Sequence, residues 1–305
     1  MKNQINPLTK GDKVVILAPA KAIEEEHVLY AKEFLSKEGY EVIVSKNCLG
    51  QHHYYSGTEL ERLTDFQNAL DDPETKAIIC ARGGYGSVQI IDKIQWASFL
   101  RNPKWIVGFS DVTIFHQRIQ SLGHRSIHGT MPLNFKTNTK EALTSLLSAL
   151  KGKPNEVHAP FNIHNKLGSA QGELVGGNLS ILYSLIGTND QIDYTDKILF
   201  IEDLAEQLYA IDRMFYAMSK AGILDQIKGL IVGGMTNLSD TATPLGSNYQ
   251  EIILSHFQYR PIPICFEFPS GHIDDNQALV LGSDVTLKIE TGGTILNHSK
   301  NNANF

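Results

Sequence analysis

Trp105-Ile106-Val107-Gly108-Phe109-Ser110-Asp111-Val112 carries the chain from a buried strand into a helix through one tight turn. Trp105-Ile106-Val107 is a short apolar run, and Val112, Phe115 and Ile119 then recur at helical spacing. A serine at such a turn holds its hydroxyl above the sheet edge, with the following backbone N–H groups aimed at the same space. That geometry suits a nucleophile beside an oxyanion hole. Read locally, Ser110 also fits a cap for the helix that follows.

Working outward, the same strand-then-helix rhythm repeats through the first half. Val14-Val15-Ile16-Leu17 ends in Ala18-Pro19-Ala20 and leads to a helical pattern from about Glu24 to Lys37. Val42-Ile43-Val44 follows Gly39, a helix stop, and a second helical pattern covers roughly Thr58 to Leu70 before Asp71-Asp72-Pro73. Ala77-Ile78-Ile79-Cys80 is the next strand. This rhythm predicts an α/β fold with a mostly parallel sheet covered by helices on both faces. Ligands of such sheets sit beyond the carboxyl ends of the strands. Ala81-Arg82-Gly83-Gly84-Tyr85-Gly86 and Gly108-Phe109-Ser110-Asp111 are two of those ends.

Residues 151–168 lose all periodicity to Gly152, Pro154, Pro160 and several Asn, and read as a linker between domains 1–150 and 169–305. The second half is less regular. Gly176-Gly177-Asn178 opens a helical stretch, Ile198-Leu199-Phe200-Ile201 and Gly229-Leu230-Ile231-Val232 are strands, and Leu208, Ile211, Phe215 and Met218 mark a helix face. Short strands with Gly turns from about Ala278 to Leu296 complete a mixed α+β domain.

A chain of 305 residues has room for two cores. With 42% hydrophobic and 20% charged residues and a net charge of −6, it has the balance of an ordinary globular protein and no polybasic signature for nucleic acid or anionic membrane. The polar N-terminus has no signal-peptide core and no run is long enough to span a bilayer, so a cytoplasmic protein is expected. Cys48, Cys80 and Cys265 form neither a disulfide framework nor a metal spacing, and the histidines assemble no metal site. No cofactor or metal is expected.

A nucleophilic serine needs a base, and the base an orienting acid. His272 lies in the polar loop Pro269-Ser270-Gly271-His272-Ile273-Asp274-Asp275-Asn276, and Glu202 ends the apolar run Ile198–Ile201, with Asp203 and Glu206 close enough in sequence to compete for its role. The glycines of Arg82-Gly83-Gly84-Tyr85-Gly86 let backbone approach a ligand closely, without the spacing of a phosphate loop. His128 ends a strand close to Ser110 in sequence and is a candidate for lining the pocket.

These segments resemble the LD-carboxypeptidases, serine peptidases that include microcin C immunity proteins. Gly11-Asp12-Lys13-Val14-Val15-Ile16-Leu17-Ala18-Pro19 is similar to the family's opening strand, Ala81–Gly86 to its glycine loop and Gly108-Phe109-Ser110-Asp111-Val112-Thr113 to its nucleophile turn. Gly176-Gly177-Asn178-Leu179-Ser180, Glu202-Asp203 with Tyr209-Ala210-Ile211-Asp212-Arg213, and Gly271-His272 with Asn276 follow in family order. The resemblance implies a flavodoxin-like N-terminal domain, a smaller C-terminal domain with the active site between them, and homodimers. It implies Ser110 as nucleophile, Glu202 as acid, His272 as base, and Gly83, Gly84 and the Asp111 N–H as oxyanion hole. Arg82, Tyr85, His128 and Asn276 are the candidate substrate-binding residues, with Arg82 a candidate for a terminal carboxylate and equally open to a structural role.

The implied reaction is release of terminal D-alanine from a murein tetrapeptide. Its alternatives are an immunity-type peptidase cleaving aminoacyl-nucleotide antibiotics and a non-catalytic muropeptide-binding protein; a glutamine amidotransferase is disfavoured, since it uses cysteine at the turn. Ile273 and Thr130 stand where the family often has glycine and proline, and both are expected to reshape the pocket.

Overall fold

The computed structural model describes residues 5–153 and 156–298. The chain divides into two units. The first begins with strands β1 (Lys13–Leu17), β2 (Glu41–Val44), β3 (Thr75–Cys80), β4 (Trp105–Gly108) and β5 (Ser126–His128). They lie in the order β2-β1-β3-β4-β5, and all the pairings β1–β2, β1–β3, β3–β4 and β4–β5 are parallel. This is the doubly wound order of flavodoxin-like sheets, in which β1 and β3 flank the point where the strand order reverses. Val14, Ile16, Ala77, Ile79 and Val107 are wholly buried, as expected of strands covered on both faces.

Helices follow the predicted spacing. Thr58 caps the helix Glu59–Asp71 through a capping box with Glu61, and at the other end the buried Lys104 ammonium donates to the carbonyls of Ala69, Leu70 and Asp72 at 2.7–3.0 Å. The first unit holds one further strand, described below, drawn from far along the chain.

The second unit contains β6 (Glu156–Ala159), β7 (Gly168–Asn178), β8 (Ile198–Leu204), β9 (Gly229–Thr236) and β10 (Ile264–Cys265). At Asp274 the chain enters the first unit, where β11 (Leu279–Leu281) pairs beside β5. It then returns for β12 (Asp284–Glu290) and β13 (Gly293–His298). The second sheet runs β10-β9-β8-β7-β12-β13-β6. Its β7–β10 half is parallel and its other half antiparallel, and β7 serves both: Gly168–Glu173 pair with β12 and Leu174–Asn178 with β8. The parallel half reads as continuous apolar runs and β12 as strict alternation, with Val285, Leu287 and Ile289 inward.

Two sequence boundaries differ from the expected ones. The stretch 151–168 contains strand β6, whose Val157 and Ala159 point inward while Glu156 and His158 point out. Residues 274–280 belong with the first unit: Thr139 N and Oγ1 bond Asp274 O (2.9 Å) and Asp275 Oδ1 (2.7 Å), and Ala278 N donates to Ser145 Oγ (2.7 Å). Among the described residues no helix is long and apolar enough to cross a membrane.

Candidate active site

At the carboxyl end of β4, Ser110 has φ +63°, in the left-handed region that a side chain disfavours by about 1–3 kcal/mol. It begins a short 3-10 turn, Ser110–Val112, that leads into the helix Thr113–Ser121. The N-cap position falls on Phe109, which makes no side-chain cap, so the capping role open to Ser110 in the sequence is not the one it takes. The turn folds back tightly: a side chain at Gly108 would meet Val112 at 2.8 Å.

His116 supports this turn from below. Fully buried, it contacts Gly108 O through Nε2 (2.9 Å) and Ser126 Oγ through Nδ1 (2.8 Å). A carbonyl only accepts, so Nε2 carries the proton and the serine hydroxyl donates to Nδ1. Burial lowers the His116 pKa to about 3, which keeps the ring neutral, and the two hydrogen bonds hold the tautomer.

The glycine loop lies against the serine. A Cβ on Gly83 would sit 3.0 Å from Ser110 Cβ, 3.2 Å from its Oγ and 3.4 Å from Asp111 N, so only glycine leaves the space beside the hydroxyl open. Gly84 has φ +103°, and a Cβ there would lie 2.8 Å from both Lys21 Cβ and the Tyr54 hydroxyl. Asp111 contributes in two ways. Its backbone nitrogen borders that space, and its buried carboxylate accepts from Ser87 N (2.8 Å) at the far end of the loop. Burial pushes the Asp111 carboxyl up, opposed by the Ser87 hydrogen bonds and the Arg62 charge.

Arg82 donates to Ala22 O (3.1 Å), while Tyr85 is exposed with its ring 6.3 Å from that of Tyr55. His128 and Asn276, expected to meet substrate, are both wholly buried; His128 packs against Phe109 and His116, so it steadies the turn and presents no surface to a ligand. Thr130, one of the two departures from the family pattern, is likewise buried, and its hydroxyl donates to Asn138.

In the second unit, Glu202 Oε2 accepts from Nδ1 of His272. The carboxylate is wholly buried on β8, and 14% of the histidine side chain reaches solvent. Because Nδ1 donates, neutral His272 holds its lone pair on Nε2, the form a general base needs. Burial disfavours its protonation, but the Glu202 charge and hydrogen bond, with Asp203 behind them, outweigh that and raise the His272 pKa. The loop is fastened to β9 by Gly234 N to Ser270 O (2.9 Å) and Thr236 Oγ1 to His272 O (3.1 Å). Ile273, the second departure, has its methyl where a Cβ on Gly234 would come within 2.8 Å, so the two residues fit as a pair.

The three neighbouring acids have different partners. Asp203 accepts from Asn178 Nδ2 (2.9 Å), Ser180 N (2.9 Å) and Ser180 Oγ (2.8 Å), fixing the start of the helix Leu179–Ser184. Glu206 also bonds Ser180 Oγ (2.9 Å). Among the described residues no group of three or more His, Cys, Asp and Glu is placed to hold a metal.

The two halves match family models described as the LD-carboxypeptidase N-terminal domain (residues 14–129) and the LD-carboxypeptidase C-terminal domain (residues 171–287). A putative carboxypeptidase of Synechocystis is 33% identical over 288 residues, covering 94% of this chain and 94% of that protein. A probable murein peptide carboxypeptidase of Bacillus subtilis is 32% identical over 292 residues, covering 92% and 90%. The crystal structure of muramoyltetrapeptide carboxypeptidase from Oxalobacter formigenes superposes with a TM-score of 0.86 at 26% identity, over 94% of this chain and 98% of that one. Fold and relatives together define a hydrolase of the peptidase class. The chain belongs to the LD-carboxypeptidase family.

Proposed function

We propose that this protein is a serine carboxypeptidase that releases the terminal D-alanine of murein tetrapeptides, cutting the bond from an L-configured diamino-acid centre, in cytoplasmic turnover of wall peptides. The observation that carries the reading is the strained Ser110 with Gly83 laid against its hydroxyl. Strain of this kind is retained where it aims a reactive group.

In this reading Ser110 Oγ attacks the scissile carbonyl as His272 Nε2 takes its proton, and Glu202 orients the ring and stabilises the imidazolium. The Asp111 N–H and the Gly83–Gly84 backbone hold the developing oxyanion, each donor contributing about 3 kcal/mol. His272 then protonates the leaving amine of D-alanine, and water, deprotonated by the same histidine, releases the tripeptide from Ser110. An exopeptidase must also recognise a free carboxylate, and Arg82 and Tyr85 on the glycine loop are the residues assigned to it. Homodimerisation, implied by family resemblance, belongs to the same reading and is measured by sedimentation.

The test is incubation with murein tri-, tetra- and pentapeptides and detection of products by mass. Tripeptide and D-alanine from the tetrapeptide alone are expected, and Ser110→Ala should abolish them with its fold intact. Turnover by Ser110→Ala overturns the serine mechanism.

A further inference from the structure

Arg62, on the helix Glu59–Asp71, is an arginine with only 2% of its surface exposed. Its Nη1 donates to Pro19 O (2.8 Å) and Gly86 O (2.9 Å), and its Nη2 to Gln89 Oε1 (2.6 Å). The guanidinium lies over the Tyr55 ring at 4.7 Å, and Gln89 Nε2 donates to the Tyr55 hydroxyl (3.1 Å). Among the described residues no carboxylate lies within ion-pair distance of it. An arginine stays charged when buried. A buried cation held by neutral oxygens, with the Glu59 and Asp111 charges acting only from beyond ion-pair contact, is expensive to keep, and an apolar side chain would fill the space more cheaply.

The carbonyls it holds are the informative part. Pro19 follows β1 and Gly86 ends the loop after β3, so one nitrogen ties together the two loops at the point where the strand order reverses. Gly84 and Gly86 have φ of +103° and +146°, so the loop's path is not one the chain prefers by itself. The fit is close: a Cβ on Gly86 would lie 2.7 Å from Nη1. The adjoining Ser87 N is held by Asp111, the residue after the serine, and Gly83 at the other end of the loop touches Ser110.

We propose that Arg62 is a positioning residue for the oxyanion hole: it clamps the glycine loop from beneath and sets positive potential under the place where negative charge develops. The proposal rests on the reading of Ser110 as nucleophile.

Arg62→Lys keeps the charge without the fork, and Arg62→Gln keeps a donor without the charge. Each is compared with wild type for tetrapeptide turnover and for the rate at which a fluorophosphonate probe labels Ser110, with circular dichroism as the check on folding. Removing an oxyanion donor lowers kcat by about 10²–10³-fold, so displacing one should lower it by roughly 10–10²-fold with KM nearly unchanged. Labelling should slow in parallel, and guanidinium ion should restore part of the kcat of Arg62→Ala. Folded variants with wild-type kcat and labelling, or a raised KM at unchanged kcat, overturn the role of Arg62 alone. A wild-type protein labelled at Ser110 but inactive on tetrapeptide overturns the substrate and leaves the labelling comparison standing. A wild-type protein that neither labels nor cleaves overturns both. Should Arg62→Ala fail to fold, Arg62→Lys carries the comparison.

Discussion

Nδ1 of His272 is hydrogen-bonded to Oε2 of a wholly buried Glu202, and in the proposed mechanism this pair sets the pH at which the histidine acts as a base. Burial works against the charged ring, but Glu202 and Asp203 more than compensate, so the pKa lies above the ordinary 6.5. A base must be unprotonated, so activity is lost as pH falls through that raised value. The kcat/KM profile should show an acid limb with its midpoint above about 6.5. Glu202→Gln removes the charge with little change in shape. It should lower kcat by about 10³–10⁴-fold and move the midpoint down. A limb that stays in place assigns the titration to another group.

Gly83 and Gly271 both accommodate close neighbours, but they should fail differently. Gly83 is not at positive φ, so alanine fits its backbone, yet its Cβ would stand 3.2 Å from Ser110 Oγ. Gly83→Ala should lower kcat about 10²-fold with an unchanged melting temperature. Gly271 has φ +111°, and its Cβ would meet Glu202 Cβ at 2.6 Å. Gly271→Ala should lower stability by about 1–3 kcal/mol as well as activity. A Gly83→Ala enzyme with full kcat removes that surface from the oxyanion hole.

The parallel strands were legible because burial on both faces leaves an unbroken apolar run, as in Val14–Leu17 and Ile198–Ile201. Strand β6 was not, because four alternating residues sit within a stretch of Gly, Pro and Asn. The return of Leu279–Leu281 to the first sheet leaves no local mark, since the pairing partner β5 is some 150 residues away. Among the proposed site residues, Ser110, Glu202 and His272 stood at strand ends or in a polar loop, where pattern shifts point to them. His128 and Asn276 carried the same polar signal, but a polar residue type does not say which way a side chain faces. Arg62 did carry a signal: it falls on the same helical face as Phe66 and Ala69, both buried. An arginine in line with a core stripe is a buried cation in search of partners.

Asp203 is next to Glu202 in sequence but opposite in role. It holds Asn178 and Ser180 at the start of the helix Leu179–Ser184. Asp203→Ala strands buried donors and should lower unfolding free energy by about 1–3 kcal/mol in urea titrations. Most of kcat should survive, since the Glu202–His272 bond does not pass through it. A kcat loss as large as that of Glu202→Gln would make Asp203 part of the acid function.

His116 makes a separate prediction about stability. Burial holds its pKa near 3 in the folded protein, against an ordinary value of 6.5 when unfolded. Below 6.5 the unfolded chain therefore binds a proton that the folded chain does not, and stability falls as the pH drops from there toward 3. His116→Phe removes that linkage. Its stability should be lower at pH 7, because Ser126 Oγ loses its acceptor and Gly108 O one of its donors, but it should decline less on acidification than that of wild type. Urea titrations at intervals between pH 7 and pH 4 measure the two slopes, and nitrogen shifts of the imidazole should report a neutral ring protonated at Nε2 throughout the folded range. Parallel stability curves would show that His116 titrates normally, and would remove the neutral hydrogen bond to Gly108 that supports the Ser110 turn.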